Sequence, residues 1–146
     1  MICLLDDWVN DSPDDTPTWL LDTTVLIGLE AGRIQGRPAS SVHLVTSVVT
    51  AAELEWGIHM AADTETRLTR LITYQSAMRM QLLIIDRQVS HQYAALRASV
   101  ARAKRRVNVN NMLIAAIALA NQIPVLTQDD DFDALAEVSK LDVIHI

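Results

Sequence analysis

Apolar residues along this chain fall into two alternating signatures: short dense runs, and longer stretches in which they recur every three or four positions. Trp19-Leu20-Leu21 is the first dense run and predicts a strand that stops at Asp22. Val25 to Ala31 reads as a short helix closed by Gly32, followed by a loop with Gly36 and Pro38. Val42–Val48 is a β-branched run and predicts a buried strand. Residues 50–58 have helical character, with Thr50 as the expected N-cap. Glu65–Met80 places Leu68, Leu71, Ile72 and Met78 at near-helical spacing, and Leu82-Leu83-Ile84-Ile85 reads as a further buried strand ending in Asp86.

Val89, Tyr93, Leu96 and Val100 step by four, three and four, which defines an amphipathic helix. Residues 112–120 are apolar on every side, so that helix must be buried, opening at the asparagine pair Asn110-Asn111. Ile123–Thr127 predicts a strand followed at once by Asp129-Asp130-Asp131, and Val143–Ile146 a short closing strand. Strands alternating with helices indicate an α/β fold with a mainly parallel sheet. No fixed-period repeat is present.

In such a sheet the ligand crevice lies beyond the carboxyl ends of the strands, where the strand order reverses. Asp22, Asp129 and Asp131 follow predicted strands, while Glu53 and Asn111 lie in first turns of helices. All five can therefore face one crevice. Each has a plainer reading alone: a turn-forming or capping Asp22, a glutamate complementing a helix dipole, an acidic turn at 129–133. Glu53 and Glu55 are two residues apart on one helix and cannot share a face, and periodicity does not choose between them.

Composition narrows the field. The 146 residues suit one globular domain, half apolar and about a fifth charged. The lone Cys3 excludes an internal disulfide framework, and no Cys–His spacing suggests zinc. The longest uncharged apolar run, residues 112–120, is short for a membrane span of about 20 residues. With no secretory-type N-terminus, a soluble cytoplasmic protein is expected. Net charge is −6, but residues 1–18 carry five aspartates and no basic residue, so they read as a mobile acidic leader to a domain at 19–146. One turn is expected near Leu4–Trp8, with Trp8 and Trp19 pinning the leader to the body. The remaining body is close to neutral, and Arg97, Arg102, Lys104, Arg105 and Arg106 form one basic stripe on it. That stripe is either a solvated helix end or a set of phosphate contacts.

Two carboxylates about 4 Å apart repel by roughly 4 kcal/mol at an effective dielectric near 20. Clustered acids with no basic neighbour therefore either protonate or bind a cation. Oxygen-only ligands suit Mg²⁺, with Mn²⁺ as the second choice, and such an ion can activate water at a phosphodiester.

Four segments, in order, resemble the PIN-domain ribonucleases, in particular the VapC toxins of type II toxin–antitoxin (VapBC) pairs. They are residues 20–27 around Asp22, 48–58 around Glu53, 105–116 around Asn111, and 126–132 around Asp129 and Asp131. The resemblance implies a Mg²⁺-dependent endoribonuclease acting on structured RNA such as tRNA or rRNA. It also implies a homodimer, and a VapB-type antitoxin whose tail plugs the acidic crevice. By position, Asp22, Glu53 and Asp131 match the catalytic metal-binding acids, with Asp129 close by, and Thr24 and Thr127 match supporting hydroxyls. Glu53 is preferred to Glu55 on this match alone. Trp56 and Gly57 match a helix end assigned to packing, and Arg105 and Arg106 are candidate RNA contacts.

Asn111 departs from the pattern, because the family has aspartate there. An amide oxygen can ligate Mg²⁺ but brings no charge and cannot act as a base. The expectation is an intact scaffold with weakened metal binding and little or no cleavage. The alternative is a non-catalytic PIN scaffold that binds antitoxin or RNA without cutting. A phosphotransfer receiver, also α/β with clustered acids, needs a lysine after a late strand, and neither Lys104 nor Lys140 is so placed.

Overall fold

The computed structural model describes Trp8, residues 15–36 and residues 41–146. Most of the acidic leader, including the turn expected near Leu4–Trp8, and Pro38 of the first loop lie outside the described residues, Trp8 itself excepted.

Five parallel strands form one sheet in the order β3-β2-β1-β4-β5. They are β1 (Thr18–Leu21), β2 (His43–Ser47), β3 (Leu82–Leu83), β4 (Val125–Thr127) and β5 (Val143–His145). Six helices connect and cover them: α1 (Thr23–Glu30), α2 (Val48–His59), α3 (Thr64–Ala77), α4 (Arg87–Arg102), α5 (Val109–Asn121) and α6 (Asp131–Glu137). From β1 the chain winds outward through β2 to β3, then returns to lay β4 on the other side of β1. The strand order therefore reverses between β1 and β4, which is where a parallel sheet opens a crevice.

Side chains on successive strand positions point to opposite faces, so each strand feeds two cores. Leu20, Val45 and Val125 join α4, α5 and α6 residues such as Leu96, Ile114, Ile117 and Phe132. Leu21, Leu44 and Leu126 join Val25, Leu26, Ala77 and Trp8 on the other face. Both faces being covered explains why the strands are apolar runs with no polar alternation. Trp8 is 1 % exposed, so the leader reaches the body at that residue.

Several boundaries differ from the sequence expectation. Ser47, and not Thr50, caps α2: its hydroxyl accepts from Thr50 N at 3.2 Å, and the helix starts two residues earlier. Asn108 caps α5, accepting from the backbone N–H groups of Asn110 and Asn111, so the helix opens ahead of the asparagine pair. The expected strand at 82–85 shrinks to two residues, and Ile84 and Ile85 are exposed: at the sheet edge no further element among the described residues covers them. On α3 Leu68 faces solvent while Thr73, Ser76 and Ala77 face inward, since apolar spacing alone misjudged that helix's buried side. The all-apolar helix α5 is buried as expected, from Met112 through Ala118 apart from the half-buried Leu113.

Candidate active site

β1 ends at Leu21, and Asp22 takes the N-cap of α1, its Oδ1 accepting from Thr23 N at 2.7 Å. The capping position and the candidate site position thus coincide in one residue. Its other oxygen, Oδ2, accepts from the hydroxyls of Thr24 at 2.6 Å and Thr127 at 2.8 Å. Thr127 is the last residue of β4, the strand beside β1, so the tie crosses the point where the strand order reverses. Asp22 is 1 % exposed. Burial pushes its carboxyl pKa up, the hydroxyl and backbone donors work against that, and the nearby charge of Asp129 adds to the rise.

Thr23 links this acid to Glu53. Its hydroxyl lies 2.9 Å from Glu53 Oε1 and 3.0 Å from the Thr50 hydroxyl. Glu53 is half-buried and faces the crevice, whereas Glu55 is exposed, so tertiary structure makes the choice periodicity could not. On the far side Thr127 Oγ1 accepts from Asp129 N at 2.9 Å, and Asp129 Oδ1 accepts from Asp131 N at 2.9 Å. Asn111, 9 % exposed, closes the ring: its Nδ2 donates to Asp129 Oδ2 at 3.0 Å and to Asp131 Oδ2 at 3.1 Å. Asp131 Oδ2 also accepts from Asn108 N at 3.2 Å. Two carboxylates can only be met by N–H groups, which fixes the amide orientation with its nitrogen toward the acids.

Every predicted acid therefore joins one hydrogen-bonded network at the carboxyl end of the sheet, together with Asn111, Thr24 and Thr127. The Arg105–Glu137 ion pair and the His145–Asp133 hydrogen bond lie elsewhere. Arg105 and Arg106 are exposed and stand at the approach to α5, outside the network. Thr23, Ser47, Thr50 and Asn108 also join the network: the first three lie at or just beyond strand ends and Asn108 caps α5, and of the four the sequence singles out only Thr50, as a helix cap. Trp56 corrects the packing assignment: it is 65 % exposed, since α2 runs on to His59 and turns that residue outward. His145, without metal-ligand spacing in the sequence, meets Asp133 at 2.8 Å and sits near Asp130 in an exposed group whose ligand atoms lie within 4.8 Å of one another. The central acids are held by hydroxyls and an amide instead.

The fold agrees with comparison to known proteins. The family model of the PIN domain matches residues 19–138. This chain belongs to the PIN-domain family. Within that PIN family it is 39 % identical over 127 residues to Ribonuclease VapC5 of Mycobacterium tuberculosis, covering 87 % of this chain and 94 % of that protein. Ribonuclease VapC4 of the same organism is 40 % identical over 124 residues, 85 % of this chain and 95 % of VapC4. The crystal structure of VapBC-5, a member of the VapBC family of toxin–antitoxin systems from M. tuberculosis, superposes with a TM-score of 0.77 at 36 % identity, covering 88 % of this chain and 98 % of that one.

Proposed function

We propose that this protein is a metal-dependent endoribonuclease, the toxin of a VapBC-type pair, with cleavage weakened or abolished by Asn111. One observation carries the proposal: hydrogen bonds through hydroxyl, amide and backbone donors link Asp22, Glu53, Asp129 and Asp131 into one network at the carboxyl end of the sheet, and among the described residues no Lys or Arg hydrogen-bonds to them. Such a set of oxygen donors fits Mg²⁺ or Mn²⁺. When bound, the ion would supply an activated water and charge stabilisation at a phosphodiester. Asp22, Glu53 and Asp131 would hold it, with Asp129 alongside. Thr24 and Thr127 keep the Asp22 carboxylate oriented, and Thr23 does the same for Glu53.

Asn111 works against that fit. Its amide already places two N–H groups between Asp129 and Asp131, a job that needs no cation. Its oxygen could reach an ion only after the amide turned over. The same observation favours the second reading, a non-catalytic PIN scaffold that holds antitoxin or RNA.

For the partner, the VapBC-5 likeness and an apolar hollow of about 350 Å³ beside Glu53, lined by Ile27, Leu54, Trp56 and Met60, support a VapB-type antitoxin. A homodimer, a structured RNA substrate such as tRNA or rRNA, residues 1–18 as a leader to the catalytic domain at 19–146, and a cytoplasmic setting complete the proposal. No helix among the described residues is long and apolar enough to cross a membrane.

The test compares this chain with Asn111→Asp on structured RNA in Mg²⁺, in Ca²⁺ and in chelator. Cleavage by the aspartate form alone, in Mg²⁺ alone, is the expected result. Absence of cutting by both forms on total cellular RNA would overturn the nuclease reading in favour of the scaffold.

A further inference from the structure

Trp56 follows Glu53 by three residues on α2, so the two side chains share one side of that helix. The ring is a ridge between two hollows, and Glu53 borders both. The first is the apolar one assigned above to a protein partner. The second, about 630 Å³, is no less apolar, with Val48, Val49, Ala52, Ile85 and Leu113 in its lining, but Asn108 and Asn110 add amides from the start of α5.

We infer that this second hollow is a base slot: it takes an unpaired nucleobase next to the bond to be cut, stacked on Trp56 and edged by the Asn108 and Asn110 amides. The inference rests on the nuclease reading and deepens it. Three features favour a nucleotide over a peptide here. An exposed indole offers a flat π-face to any base. The Asn108 amide, whose oxygen is taken up by capping α5, offers N–H donors, and the Asn110 amide carries both a donor and an acceptor, which together match the mixed edges of a base. Lys104 and Arg106, both exposed, precede Asn108 by four and two residues in the chain, so positive charge available to a phosphate backbone lies next to the slot in sequence, while Arg105 is paired with Glu137. On the other side the slot shares Glu53 with the acidic network, and Asn108 N donates to Asp131. A base seated on Trp56 therefore places its neighbouring phosphate toward the acids. The hollow on the far side of Trp56 has Arg70 committed to the Gly57 carbonyl.

The weak cleavage expected of Asn111 makes binding measurable on the intact chain. Tryptophan emission is followed while this protein is titrated with single-stranded oligo(A), oligo(U) and oligo(C) octaribonucleotides, and with an abasic octaribonucleotide. Trp8 is buried and Trp19 partly so, which leaves Trp56 as the exposed reporter. RNA with bases should quench the emission. Trp56→Ala should weaken that binding roughly tenfold or more, Trp56→Phe should keep most of the affinity while losing the quench, and the abasic strand should not distinguish the three proteins. Because Trp56 is exposed, both variants should keep the parent's circular dichroism and melting temperature.

Parent-like RNA affinity in Trp56→Ala overturns the slot. So does a Trp56→Ala variant that changes only the particle mass by light scattering or only the affinity for an antitoxin, since the ring then belongs to a protein interface. If Asn111→Asp cuts RNA while Trp56→Ala leaves binding unchanged, the slot fails and the nuclease reading stands. If Asn111→Asp neither binds nor cuts RNA, both fail together.

Discussion

The two halves of the crevice satisfy their acids by opposite means. Around Asp22 the donors are hydroxyls from Thr24 and Thr127 and the Thr23 N–H, and the acid is almost fully buried. Around Asp129 and Asp131, both half-buried, the shared donor is the Asn111 amide. A hydroxyl donates without bringing charge and can rotate away, so the Asp22 half holds a carboxylate in place and leaves its charge uncompensated. The Asn111 amide is equally neutral, but it stands between two carboxylates and donates to both, which takes over the bridging share of what a cation would do. On the proposed reading, the Asp22 half would hold the ion and the Asn111 half would weaken its binding.

Four changes test that contrast, in order of expected size. Asn111→Asp should be the largest: it removes two charge-assisted hydrogen bonds and adds a third acid, costing about 2–4 kcal/mol of stability in chelator. Mg²⁺ should restore most of it through linkage. Thermal melts with and without the ion check this, and a variant as stable as the parent in chelator would show the amide contributes nothing. Thr127→Val comes next. It leaves Asp22 one donor short and Asp129 N unpaired, at a cost of about 1–3 kcal/mol by denaturant titration, with Asp22 pushed further toward its protonated form.

Asp22→Asn should move stability the other way. The Asp22 pKa is raised in the fold from its ordinary value of 3.8, so its contribution is fully favourable below that pH and is lost as pH rises through the raised value. In chelator at neutral pH the asparagine form should therefore be more stable, on the order of 1 kcal/mol, a size common where function holds a site away from its stability optimum. Below pH 3.8 the gain should vanish. Melts across pH 3 to 8 read this directly, and a constant difference at every pH would rule out the buried charge as the cause. Arg105→Gln breaks an exposed pair with Glu137 outside both halves and should cost less than about 0.5 kcal/mol by denaturant titration. A larger loss would mean that the approach to α5 depends on that pair.

The sequence by itself determined the alternation of strand and helix, the parallel sheet, the buried helix α5, and the placement of Asp22 and Asp129 just beyond strand ends. These follow from local rules, since periodicity and short-range turn chemistry need no knowledge of the rest of the chain. Motif order carried more: it selected Glu53 over Glu55 and singled out Asn111 before any geometry was at hand. Only the tertiary structure decided which hydroxyl meets which acid, because Thr127 and Asp22 are distant in the chain and meet only once β4 lies beside β1. It also decided that Ile84, Ile85 and Trp56 face outward, because an apolar residue is buried only where another element arrives to cover it. Asn111's place between Asp129 and Asp131 is of the same kind, an arrangement that side-chain identity permits and chain packing alone brings about.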